Sequence, residues 1–131
     1  MRSLLLVVFI CVAMTLRPSH AQGGEVSPIL LTGKWTASET MPSGAVMTMD
    51  LTLTQNMKFS GLAKVQGNDF WSYSGAWELK GNQLTWHYEN SSRPLPEAAK
   101  TDIDDIVSVD GDRLVLNSRL SGKQHIYVRP K

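Results

Sequence analysis

The chain has 131 residues and a single cysteine, enough for one domain held by its apolar core and not by a disulfide framework. Thirteen basic residues against twelve acidic ones leave a net charge of +1, so no basic field exists to attract nucleic acid or anionic lipid. No internal repeat and no low-complexity tract divides the chain.

Residues 1–21 read as a signal peptide. Met1 and Arg2 supply a short positive start, and Leu4 to Met14 form an apolar run too short to span a bilayer comfortably. Ser19-x-Ala21 then places small residues where a signal peptidase cuts. Cys11 follows Phe9 and Ile10 and lacks the small preceding residue of a lipidation site. Cleavage after Ala21 removes the only cysteine, and with it any thiolate nucleophile or zinc–thiolate site. It also leaves 11 basic residues against 12 acidic ones, a net charge near −1. The expected product is periplasmic or secreted, with no stable membrane anchor. Residues 22–29 are a leader, and residues 30–131 are the folded domain.

The period is two almost everywhere beyond the leader. "LTGKWTAS" opens the first strand. "VMTMDLTLT" alternates Met47, Met49, Leu51 and Leu53 against Thr48, Asp50, Thr52 and Thr54. "MKFSGLAKV" puts Met57, Phe59, Ala63 and Val65 on one face, with Gly61 between them as a bend or bulge. After the turn "QGND" comes "FWSYSGAWELK", then Gly81-Asn82, then "QLTWHYEN". A Gly-Asn pair between alternating runs is a hairpin signal. Trp77, Leu79, Leu84, Trp86 and Tyr88 hold the apolar phase, while Glu78, Lys80, Thr85, His87 and Glu89 hold the polar one. The aromatics of this hairpin are therefore expected in a core.

"NSSRPLPEAAKT" breaks the alternation and predicts a long loop, with a helical turn at "PEAAK". "DDIVSV", "RLVLNSR" and "KQHIYVR" follow as three short strands, with Gly111 and Gly122 in their turns. Ile126 and Val128 are taken as inward, which sets Arg129 nominally outward. The fold class expected is all-β: a small antiparallel up-and-down barrel of about eight strands, closed to remove its edges.

Gly33-Lys34-Trp35, a G-x-W on the first strand, and Arg129, at the end of the last, resemble the calycin superfamily, which includes the lipocalins. The whole chain beyond the leader is similar to small bacterial lipocalin-like domains in its G-x-W, its central "SGAWELKGNQLTW" hairpin, its Pro-containing loop and its "IVSVDGDRLVL" hairpin. The resemblance implies a Trp35 that plugs one end of a barrel with Arg129 packed across it. Gly33, Trp35 and Arg129 are then a structural signature. At this length the interior is either filled by side chains or able to hold one small ligand.

No nucleophile elbow, zinc motif or phosphate-binding Gly loop occurs. His87 and His125 stand apart from any metal-like cluster and read as satisfied or exposed. Asp102, Asp104, Asp105, Asp110 and Asp112 read as turn-forming and solubilising residues. No catalytic residue, metal site or cofactor is expected. The leading reading is an exported, non-catalytic binder of a small apolar molecule, lined by Trp35, Met47, Met49, Phe59, Trp77, Trp86 and Tyr88. The alternative is an exported protein partner, for example a hydrolase or protease inhibited through the loops 40–44 and 90–101.

Overall fold

Alternation at period two gives each segment one dry face and one wet face, and a run of such segments buries its dry faces by curling into a barrel. A computed structural model describes residues 26–131. The segment assigned to the signal peptide and residues 22–25 of the leader lie outside the described residues. Eight strands follow in order: β1 Gly33–Thr40, β2 Val46–Leu53, β3 Lys58–Val65, β4 Asn68–Lys80, β5 Gln83–Ser91, β6 Thr101–Val109, β7 Arg113–Ser118 and β8 Gln124–Val128. Each pairs antiparallel with the next, and β8 returns to β1 to close the barrel. A one-turn helix, α1 (Pro28–Leu31), precedes β1, and a 3-10 turn forms at Glu97–Ala99 within "PEAAK". Among the described residues no helix is long and apolar enough to cross a membrane.

The central hairpin folds as the alternation requires. Gly81-Asn82 joins Lys80 directly to Gln83, with Gly81 at the positive φ of 63° that a tight hairpin turn asks of its first central residue. Trp77 sits opposite Trp86 across the ladder, and the two are 2% and 5% exposed. Tyr88 points inward and is half-buried against the core. His87 and Glu89 lie outside, the first beside Glu78 at 3.3 Å and the second beside Lys58 at 3.4 Å. The aromatics are core, and the charged partners are surface.

One end of the barrel is shut. Leu31, Trp35, Leu53, Leu84 and Leu114 are fully buried there, and Val26, from the leader, packs into the same cluster. The Trp35 indole N–H donates to the Leu31 carbonyl at 2.9 Å. The Arg129 guanidinium lies over the Trp35 ring at 3.6 Å from its centre and donates to the carbonyls of Lys34 and Leu30 at 3.1 and 3.0 Å. The carbonyls at the end of α1, which have no partner inside so short a helix, are thereby satisfied. Gly33 makes the arrangement possible: its φ is +107°, and a Cβ there would stand 2.8 Å from an Arg129 nitrogen.

The phase of β8 differs from the sequence expectation. Ile126 and Val128 face outward, each 42% exposed, whereas Tyr127 is buried and shares the inward phase with His125 and Arg129. The register sets this: Tyr127 pairs with Leu114 and His125 with Leu116, both leucines being buried inside. Arg129 therefore reaches Trp35 in phase, with no bend needed. Apolarity alone was a poor guide to facing, because a barrel's outer surface also carries apolar side chains.

Trp35 and Trp77 are both buried, yet they differ in polar partners. The Trp77 indole N–H has no acceptor among the described residues. Trp35→Phe removes an indole that donates to a carbonyl and underlies a cation, whereas Trp77→Phe removes an unpaired donor. Chemical denaturation should show Trp35→Phe less stable than Trp77→Phe by about 1–3 kcal/mol. Equal losses would show that the Arg129 contact contributes nothing.

Candidate functional site

The other end of the barrel is open. The loops 41–45 and 92–100 both rise from this rim, as do the connections β3–β4 and β7–β8. Within it lies a cavity of about 230 Å³. Its wall from β4 and β5 is aromatic: Trp71, Tyr73, Trp86 and Tyr88. Met49 and Leu51 close the β2 side. β6, β7 and β8 contribute Asp102, Asp104, Ser118, His125 and Tyr127.

The rings form one packed group. Trp71 and Tyr73 have centres 4.1 Å apart, Tyr73 and Tyr88 5.7 Å, and Trp71 and Tyr88 6.0 Å. Phe59 supports them from below, edge-on to Trp86 at 5.0 Å and to Tyr88 at 5.3 Å. The Trp71 N–H donates to the Ser91 hydroxyl at 2.7 Å, which fixes the ring at the rim. Gly61 faces Tyr73 across the β3–β4 ladder, and a Cβ there would stand 2.2 Å from the Tyr73 ring. The absence of a side chain on Gly61 is what lets that ring lie against the strand, so this glycine shapes the wall; it is not a break in the strand.

Three of the seven residues expected to line a ligand site do so: Met49, Trp86 and Tyr88. Trp35 and Trp77 form the floor of the shut end, and Phe59 lies behind the wall. Met47 is half-buried in the inward phase of β2 but does not line the cavity. Trp71 and Tyr73 were legible, because they continue the odd-numbered phase of Trp77 through Gly75 along β4. Asp102 and Asp104 require a correction. They are not turn or solubilising residues; they occupy inward positions of β6, in phase with buried Ile106. Asp105 and Asp110 keep outer roles. Asp105 pairs with the Arg119 guanidinium at 2.8 Å, and the Asp110 carboxylate accepts from the N–H groups of Asp112 and Arg113.

The polar side of the cavity is electrostatically uneven. Asp104 is 8% exposed and accepts the Trp86 indole N–H at 2.8 Å. Burial pushes its carboxyl up from 3.8 to about 6, with the Trp86 donor opposing and Asp102 reinforcing. Burial also raises Asp102, against the Ile103 N–H and His125. Burial pushes the Tyr73 phenol up to about 12, and it raises Tyr88 and Tyr127 as well. His125 Nδ1 lies 2.6 Å from Glu39, joining β8 to β1 near the rim. Among the described residues no three His, Cys, Asp or Glu side chains come together to hold a metal ion.

The raised Asp104 carboxyl makes stability depend on pH. The folded chain holds this proton more tightly than the unfolded chain does. Its contribution is fully present below pH 3.8 and is lost as pH rises through about 6. Asp104→Asn keeps an acceptor for Trp86 and does not titrate. Its stability relative to the parent should therefore climb, by on the order of 1 kcal/mol, from acid to neutral pH. Urea unfolding at the two ends of that range measures this, and an unchanged difference would mean that the carboxyl is not held protonated by the fold.

No protein-family model matches the chain, and no curated protein matches it. Among solved structures, the chain is similar to a lipocalin-like protein from Bacteroides uniformis, with a TM-score of 0.51 and 16% identity, over 77% of this chain and 99% of the other. The eight-stranded closed antiparallel barrel, shut at one end by Trp35 and Arg129 and open at the other, has a lipocalin-like fold.

Proposed function

We propose that this chain is an exported, non-catalytic barrel that holds one small molecule with a largely apolar body in its open end. The observation that carries the reading is the cavity itself. A small barrel can fill its interior entirely with side chains, and this one does so only in the shut half. In the open half, rings from β4 and β5 form a preorganised apolar wall with a few polar groups opposite, the usual composition of a small-molecule site. The structural neighbour's lipocalin-like fold supports the same reading. Export rests on the signal-peptide pattern of residues 1–21.

The side-chain chemistry favours binding over catalysis. A hydroxyl–imidazole–carboxylate chain does occur, Thr101–His87–Glu78, at 3.5 and 3.3 Å. It lies on the outer face of the barrel, exposed, and it borders no cavity that would position a substrate. Within the open end, His125 is engaged with Glu39, and the Ser118 hydroxyl accepts the Ser121 N–H.

A protein partner is the competing reading. The loops 41–45 and 92–100 share one rim, and Arg93 packs over exposed Phe70 beside it, at 3.7 Å from the ring centre. A single variant separates the two. Met49→Trp introduces a second ring into the cavity and leaves the loops untouched. Titration with the neutral dye N-phenylnaphthylamine, read by dye emission and by quenching of Trp71 and Trp86, should show saturable binding to the parent. Met49→Trp should bind the dye about tenfold more weakly, the equivalent of roughly 1.4 kcal/mol. Absence of dye binding to the parent, with a protein co-purifying in native mass spectrometry, would favour the partner.

A further inference from the structure

We propose that the open cavity selects an organic cation: a compact apolar body carrying a protonated amine or quaternary ammonium nitrogen, seated between the aromatic wall and the carboxylates of Asp102 and Asp104. This rests on the small-molecule reading above and names the chemistry that the site would choose.

Three carboxylates take the inward phase at this end, Glu39 on β1 and Asp102 and Asp104 on β6. Among the described residues no lysine or arginine lines the cavity, and the base among its lining residues is His125, already 2.6 Å from Glu39. Asp104 is 92% buried by its 8% exposure, and only one of its oxygens has a donor, from Trp86. Its other oxygen accepts no hydrogen bond from any described residue. Tyr127, 9% exposed, likewise has a hydroxyl with no partner among the described residues. A buried carboxylate with an open oxygen is costly unless a cation or donor completes it. Opposite stand Trp71, Tyr73 and Tyr88, whose ring faces attract a cation at close range. The two halves of the wall therefore ask for the same charge, and an anionic ligand such as a fatty acid would meet like charge with no compensating base. A metal ion fits poorly, since no three ligating side chains converge among the described residues.

The titration of Asp104 supports the proposal. Burial raises its carboxyl to about 6, and it is faced by Glu39, Asp102, His125, Tyr73, Tyr88 and Tyr127. A cation placed beside it would lower it again, so binding near pH 6 releases protons.

Calorimetry with three probes of similar shape tests this: phenethylamine, phenethyl alcohol and hydrocinnamate. At neutral pH the amine should bind at least about tenfold more tightly than the alcohol, and the acid should bind most weakly. Repeating the amine titration near pH 6 in buffers of different ionisation enthalpy should reveal proton release. The double variant Asp102→Asn/Asp104→Asn should lose the preference for the amine and keep its affinity for the alcohol. The probe ranking and the proton release need only the parent protein, so a variant that fails to fold does not remove the test. If the alcohol binds as tightly as the amine, or no proton is released, the cation proposal is overturned and the small-molecule site stands. If none of the three probes binds and N-phenylnaphthylamine also fails, both readings fall together.

Discussion

A barrel of eight short strands depends on the contact that joins its last strand to its first. Here β8 meets β1 through a single registered backbone pair, Thr36 with Val128. Side chains reinforce this thin seam at both ends. Arg129 crosses it at the shut end, covering Trp35 and donating to the carbonyls of Lys34 and Leu30. His125 crosses it toward the rim to reach Glu39. The guanidinium suits this position because it is planar enough to lie on an indole and has donors enough for two carbonyls together. With no disulfide available, such a closure couples the shut end to the register of the whole sheet.

That coupling divides the interior into two halves with different work. The shut half contains Trp35, Trp77 and the buried leucines, packed with α1 as a plug. The open half cannot be packed in the same way, because its inward positions hold glycine and alanine on β3 and carboxylates on β6. Gly61 leaves space that Tyr73 occupies from the neighbouring strand, and Asp102 and Asp104 hold back any apolar filling. Stability resides in the first half, and ligand chemistry in the second.

The fold was largely legible because alternation is a local property. The strands, the Gly81-Asn82 turn, the 3-10 turn at "PEAAK" and the inward Trp77, Trp86 and Tyr88 all followed from period and turn chemistry. The misreadings came where apolarity was used as a proxy for facing. On β8, Ile126 and Val128 outweighed His125 and Tyr127 by hydropathy alone, and the phase came out inverted. On β6, a run of aspartates looked like a solvated turn because buried carboxylates are uncommon. Ile106 shares the phase of Asp102 and Asp104, and that parity held the correct answer.

The sequence by itself determined the class of the object: strands, their order, their turns, and a G-x-W with a late arginine to shut one end. These depend on neighbours within a few residues, or on a resemblance carried by short motifs. Which residues meet at the open end was decided only by the tertiary structure. Met49, Trp71, Asp104 and Tyr127 lie on four different strands, up to 78 positions apart between Met49 and Tyr127. Their convergence depends on the register of every intervening strand pair, including the bulges at Ala63/Lys64, Ser74/Gly75 and Ile106/Ser108. A one-residue slip in any of these would turn a strand's side chains to the opposite face. Register is a sum of pairings around a closed ring, and no local pattern contains that sum.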